Sequence, residues 1–318
     1  MRQTAKGQRT VTLYCHAICG IGRIRHENQD NLYANGAYRE DISDNSTFRH
    51  TCASRGFGLY AVADGLGGES HGGLASLAAV QAMGELGHGS GVVGDAHLGV
   101  PPASGGRRHS FRRRQDIGRL ERYIHERNEA ICGVIADHGG ERAGSTFVGL
   151  WVDGDTAIYA NIGDSRAYLL RGKTLTQLSR DHTPVRQMIE LGILDRRSAR
   201  VHPSRHRLTQ HLGIPPSEML IDPHSGQLQA SQGDLFLLCS DGLTDMLDDD
   251  AIESALNSAL NSEPNVEPNS ALNSVPNSAP NSAPNAPGDV KNGAEALYSS
   301  ALDAGGKDNI TILLVRCG

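Results

Sequence analysis

The chain has no run of apolar residues long enough to cross a membrane, since a spanning helix needs about 20 of them. Its first residues also lack the apolar core of a secretory signal, so a cytoplasmic location is the expectation. No two of the six cysteines (Cys15, Cys19, Cys52, Cys132, Cys239 and Cys317) stand in the Cys-x-x-Cys spacing of zinc or redox motifs. They read as reduced, mostly buried thiols. A Gly-x-x-x-x-Gly-Lys phosphate loop is missing too, which removes the commonest nucleotide-binding reading. Positive charge is in deficit: 30 Lys and Arg against 36 Asp and Glu leave a formal net charge of -6. That balance argues against nonspecific nucleic-acid binding as the main task. One basic run, Arg107 to Arg114, follows a glycine- and proline-rich stretch and reads as part of an exposed loop.

What the chain does contain is a set of aspartates at turns. They lie in Arg25-His26-Glu27-Asn28-Gln29-Asp30-Asn31, Ala63-Asp64-Gly65-Leu66-Gly67-Gly68, Cys239-Ser240-Asp241-Gly242 and Gly305-Gly306-Lys307-Asp308-Asn309-Ile310-Thr311. Before Asp64 and before Asp241 a short β-favouring apolar run is cut off by Asp-Gly, so each carboxylate sits where a buried strand exits. Glycine in the next position permits a positive φ and a backbone carbonyl turned toward a ligand. Asp308 is placed the other way round, at the entrance of the strand Ile310 to Val315. A lone Asp-Gly is usually only a turn. The ordered set is what carries information.

Clustering Asp30, Asp64, Asp241 and Asp308 would force some of them to take up protons unless cations balanced the charge. Two divalent ions would do so. An all-oxygen ligand set suits Mg2+ or Mn2+ rather than zinc. Water held between two such ions becomes a nucleophile at neutral pH.

With Gly144-Ser145-Thr146 and Asn161-Ile162-Gly163-Asp164-Ser165-Arg166 between them, these motifs stand in one order that resembles the bacterial metal-dependent Ser/Thr protein phosphatases of the protein phosphatase 2C type. The likeness runs from about Leu13 to Val315. It implies hydrolysis of phosphoserine and phosphothreonine by attack of a water that bridges two Mg2+ or Mn2+ ions. By the same resemblance Asp64 would bridge both metals, the Gly65 carbonyl would bind one, and Asp241 and Asp308 would hold the other. Asp30 would act through metal-bound water, and Arg25 would grip the substrate phosphate with its planar fork of donors. Asp164 would help Asp241 hold a third, looser ion. Phosphorylated proteins, with a bacterial Ser/Thr kinase as the opposing enzyme, are the expected partners; nucleic acid and membrane are not.

Two positions depart from the family pattern. Gln29 stands where many eukaryotic members carry Glu, and Leu66 stands where they carry a histidine suited to protonate the leaving alkoxide. His71, His182 and His202 are the substitutes that their sequence neighbourhood suggests. The resemblance also makes residues 180–212 a flap beside the active site, with Arg196, Arg197, Arg200, Arg205 and Arg207 available to attract phosphorylated segments.

Periodicity places strands near 11–18, 58–63, 146–152, 156–162, 166–170, 234–240 and 310–316, with a hairpin at Asp153-Gly154-Asp155. Helices are expected over Gly73 to Leu86 and from Ile117 to Ile135. The fold class is therefore α+β, two antiparallel sheets flanked by helices, and the resemblance supplies the four-layer αββα order. The motifs interleave along all 318 residues, so a single catalytic domain over 11–318 is expected. Between 257 and 288 asparagine returns every fourth residue among repeated prolines. That composition reads as a disordered Asn/Ser/Pro-rich insertion, and the glycine-rich stretch His88 to Gly106 as a mobile loop. Two other functions share these features: a phosphatase-fold regulator without chemistry, which should lack a metal aspartate, and a small-phosphoester hydrolase.

Overall fold

The structure, a computed structural model, describes residues 11–67, 71–88, 106–138, 143–261 and 287–318. Strands β1 (Thr12–Gly20), β2 (Asn31–Ala34), β3 (Phe48–Arg55), β4 (Phe57–Ala63) and the two-residue β5 (Gly65–Leu66) precede helices α1 (His71–Val80), α2 (Glu85–His88) and α3 (Gly106–Asp137). Next come β6 (Gly144–Ser145), β7 (Phe147–Asp153), β8 (Thr156–Ile162), β9 (Arg166–Arg171) and β10 (Thr174–Gln177), then the short helices α4 (Pro184–Glu190) and α5 (Arg196–Ala199). The described chain closes with β11 (His224–Gln229), β12 (Leu235–Cys239), α6 (Asp241–Thr244), α7 (Asp249–Asn261), α8 (Pro287–Asp303) and β13 (Ile310–Cys317).

One sheet has the order β10-β9-β12-β13-β1-β3 and the other β11-β8-β7-β4-β2, every pair antiparallel. Successive residues of a strand point to opposite faces, and here both faces are covered. In β12, Phe236 and Leu238 enter the layer between the sheets, whereas Leu235, Leu237 and Cys239 pack under α7 and α8. In β4, Tyr60 and Val62 face the inter-sheet layer while Leu59, Ala61 and Ala63 face α1 and α3. Double coverage explains why these strands read as continuous apolar runs. The four layers are α1/α3, sheet, sheet, α7/α8, the expected αββα sandwich.

Local signals set several boundaries. The β7–β8 hairpin pairs Asp153 with Thr156, and its turn uses Gly154 at φ 61. Helix α4 begins at Thr183, whose hydroxyl accepts the Arg186 N–H, with Pro184 in the first turn where no N–H is needed. Along α3, Leu120, Tyr123, Ile124 and Ile131 form the buried stripe.

Some expectations change. The first helix stops at Val80 rather than continuing to Leu86. The basic run Arg107 to Arg114 has a helical backbone, because the stripe's helix extends upstream to Gly106. Helix α7 covers Asp250 to Leu260, where the sequence allows a helix into the start of the insertion, and α8 takes residues 287–288 at its end; residues 262–286 of it, and 89–105 of the glycine-rich loop, lie outside the described residues.

Candidate active site

Strand register brings the motif aspartates to one end of the sandwich. Asn31 pairs with Ala63, so Asp30 and Asp64 flank the same end of β2 and β4. Cys239 pairs with Arg166 on one side and with Ile312 on the other, so Ser240 and Asp241 leave β12 between the Asp164 turn and the entrance of β13. Gly20 pairs with Ile310 and leads β1 into the Arg25 loop. Asp30, Asp241, Asp164 and Asp308 all act electrostatically on Asp64. The five aspartates named from sequence therefore share one site.

The glycines after Asp64 and Asp241 are needed for a different reason from the one expected. Neither has a positive φ. A Cβ on Gly65 would lie 2.2 Å from the Gly72 carbonyl oxygen, and one on Gly242 would lie 1.9 Å from that of Asn309. Close approach of backbones, not turn conformation, excludes a side chain there.

Asp30 is buried, and its Oδ2 accepts from Ser240 Oγ and from Thr311 Oγ1, each at 2.7 Å. Its Oδ1 is buried with no hydrogen-bond partner. Burial pushes this carboxyl up to about 7, helped by the charges of Asp308 and Asp241 and opposed by the two hydroxyls. Burial likewise holds Asp64 well above the usual carboxylate range, reinforced by Asp30, Asp241, Asp164 and Asp308. Asp164 is raised by burial and then by Asp241 and Asp181, with Arg166 opposing.

Several supports of this arrangement were not visible in sequence. Asn309 Oδ1 accepts the Gln29 N–H at 2.8 Å while its Nδ2 donates to the carbonyls of Ile21 (3.0 Å) and Glu27 (2.9 Å), which pins both ends of the Arg25 loop. The buried Arg39 guanidinium donates to the carbonyls of Asn28 and Asp30 from behind. Ser145 Oγ donates to the Asp64 carbonyl at 3.0 Å, and the Asp64 N–H donates to Thr146 Oγ1 at 3.0 Å. Arg25 Nη2 donates to Asp308 Oδ2 at 2.6 Å on the exposed rim.

His182 Nδ1 accepts the Gly163 N–H at 3.1 Å, and burial lowers its pKa. His202 Nδ1 accepts from the Ser204 N–H at 3.1 Å, and the His71 ring lies 6.1 Å from that of His138. The sequence reading passed over His206, which approaches Asp241 to 3.8 Å and Asp245 to 3.4 Å. A cavity of about 490 Å³ opens between α4, α5 and α6, lined in part by Asp164, Asp241, Arg186, Arg200, Arg205 and His206.

A group of carboxylates whose ionised forms oppose one another, with an orphaned buried oxygen among them, fits divalent cations. The donors are oxygens, the preference of Mg2+ and Mn2+. Arg25 supplies only one positive charge at the rim.

Residues 32–275 match the protein phosphatase 2C family. The chain is 26% identical over 306 residues to the serine/threonine protein phosphatase PstP of Mycobacterium tuberculosis, covering 96% of this chain and 45% of that protein's length. It is 28% identical over 300 residues to protein phosphatase PhpP of Streptococcus pneumoniae, covering 94% of this chain and 95% of the relative. The crystal structure of M. tuberculosis PstP/Ppp superposes with a TM-score of 0.66 at 26% identity, covering 96% and 98% of the two chains. The PstP catalytic domain in complex with 2 manganese ions gives a TM-score of 0.65 at 24% identity, over 97% and 99%. On the site's geometry and the match of most of its length, the chain belongs to the protein phosphatase 2C family.

Proposed function

We propose that this chain is a metal-dependent protein phosphatase that hydrolyses phosphoserine and phosphothreonine on proteins previously phosphorylated by a Ser/Thr kinase. The observation that carries the reading is the convergence of Asp30, Asp64, Asp164, Asp241 and Asp308 at one end of the sandwich, with Arg25 at its rim. None of the expected aspartates is missing, which favours an enzyme over a regulator that has lost its chemistry.

Bound Mg2+ or Mn2+ would balance the carboxylate charge and acidify water, so that a nucleophile is available at neutral pH. Asp64, the Gly65 carbonyl, Asp241 and Asp308 would hold two such ions, and Asp164 with Asp241 would suit a third. Asp30, held by Ser240 and Thr311 through one oxygen and unpartnered at the other, would act at the same site through metal-bound water. Arg25, whose planar fork offers paired donors, would grip the substrate phosphate at the rim of the aspartate site. With Leu66 in place of a histidine, the departing Ser or Thr oxygen takes its proton from solvent or from a neighbouring side chain. We assign residues 11–318 to one catalytic domain and 180–212 to its flap.

Phosphate release from a phosphothreonine peptide by the purified chain tests the reading. Release that requires Mg2+ or Mn2+ and stops with chelator is expected. Folded protein inert on phosphopeptides yet active on a small phosphoester would move the assignment to that other hydrolase class.

A further inference from the structure

Two of the six cysteines stand opposite each other. In the β1–β3 ladder Cys15 is the register partner of Cys52. The Gly56 N–H donates to the Val11 carbonyl at the end of this ladder, and antiparallel pairs alternate between bonded and non-bonded types. Cys15 and Cys52, four pairs further on, are therefore a bonded pair with Cα atoms about 5.5 Å apart. A disulfide needs Cα atoms roughly 4.4–6.8 Å apart, which this pair meets, and Cβ atoms about 3.5–4.5 Å apart, so closing the bond draws the edge strand in by about 1 Å. Both side chains point into the layer between the sheets, Cys15 buried and Cys52 half-buried against it. Strand β3 lies at the sheet edge, which leaves Cys52 accessible from outside.

The surroundings distinguish the two thiols. Asn35 Nδ2 donates to the Cys52 sulfur at 3.9 Å, and the facing Cys15 thiol acts on it in the same sense. The neighbouring Cys15 thiol and Asn35 hold the Cys52 thiol below its ordinary pKa against the effect of burial, while burial pushes Cys15 well up. A thiolate is the reactive form of cysteine. The remaining cysteines offer no equal pair: Cys19 and Cys239 are buried, and Cys132 lies on α3. The buried Cys317 pairs with Leu13, so it lies only on the diagonal from Cys15.

We propose that Cys15 and Cys52 are a dithiol site that a hydroperoxide closes to a disulfide between β1 and β3. The Cys52 sulfur attacks the peroxide O–O bond and becomes a sulfenic acid as water leaves. The Cys15 sulfur then attacks the Cys52 sulfur, forms the S–S bond and expels the sulfenic oxygen as a second water. Two thiols lose two electrons and two protons, and one hydrogen peroxide becomes two waters. The bond would close the loop 15–52, which contains Arg25 and Asp30. The proposal stands apart from the phosphatase reading.

The test is mass mapping of the full chain after hydrogen peroxide, alkylation and digestion without reductant. A linked Cys15–Cys52 peptide pair that dithiothreitol separates is expected. In Cys15→Ser, Cys52 should instead be trapped as sulfenic acid by dimedone. Recovery of Cys52 as free thiol under peroxide, or a Cys15–Cys317 link, would overturn the assignment.

Discussion

Arg25 Nη2 lies 2.6 Å from Asp308 Oδ2, so the cation proposed to grip phosphate rests on a carboxylate proposed to hold metal. Both side chains are partly exposed, and such pairs contribute little to folding, about 0–1 kcal/mol. Arg25→Ala is therefore expected to leave thermal stability nearly unchanged. Its effect should fall on substrate: KM for a phosphopeptide rises about tenfold or more, with a smaller change in kcat. Steady-state kinetics on one phosphopeptide checks this, and unchanged KM would remove Arg25 from the phosphate site.

Asn309→Ala should act through the loop rather than through substrate contact. The change deletes three hydrogen bonds that tie Ile21, Glu27 and Gln29 to β13. At about 0.5–1.5 kcal/mol each, the loss of stability should be about 1.5–4.5 kcal/mol. Urea unfolding of the metal-free protein measures it, and a cost near zero would mean that the loop is held by other contacts.

The strand-exit aspartates were legible because β4 and β12, covered on both faces, read as apolar runs cut off by Asp-Gly, and because the four motifs stand in one order. Strand β3 was not legible, since Phe48 to Arg55 alternates half-buried and exposed residues at a sheet edge and carries Arg49, His50, Thr51 and Arg55. The roles of Ser240 and Thr311 were hidden for another reason. Their partner Asp30 lies 210 and 281 positions away, and the β12–β13 register only sets the two hydroxyls side by side. Glycine illustrates a third limit: the sequence suggested a turn requirement at Gly65 and Gly242, and the packing showed a steric one.

His16 makes stability depend on pH. It is buried in β1, with Nδ1 bonded to Thr51 Oγ1 at 2.6 Å and Nε2 without a hydrogen-bond partner. Burial lowers its pKa from 6.5, with Lys291, Arg49 and His50 acting the same way and Glu295 opposing. The unfolded chain then binds this proton more readily than the folded one, so its contribution is intact above pH 6.5 and is lost as pH falls toward the folded pKa. Between pH 7.5 and 5.5 the thermal stability of the parent should fall relative to that of His16→Gln. An equal slope in both proteins would contradict the assignment.

The most direct test of the metal cradle is a calorimetric titration of Mn2+ into the metal-free protein and into Asp64→Asn. Asp64 is the carboxylate on which the other four converge. The account predicts at least two bound ions in the parent and loss of the tight sites in the variant, with the fold retained by circular dichroism. A parent that binds no Mn2+, or a variant that binds it with the parent's stoichiometry and affinity, would contradict it.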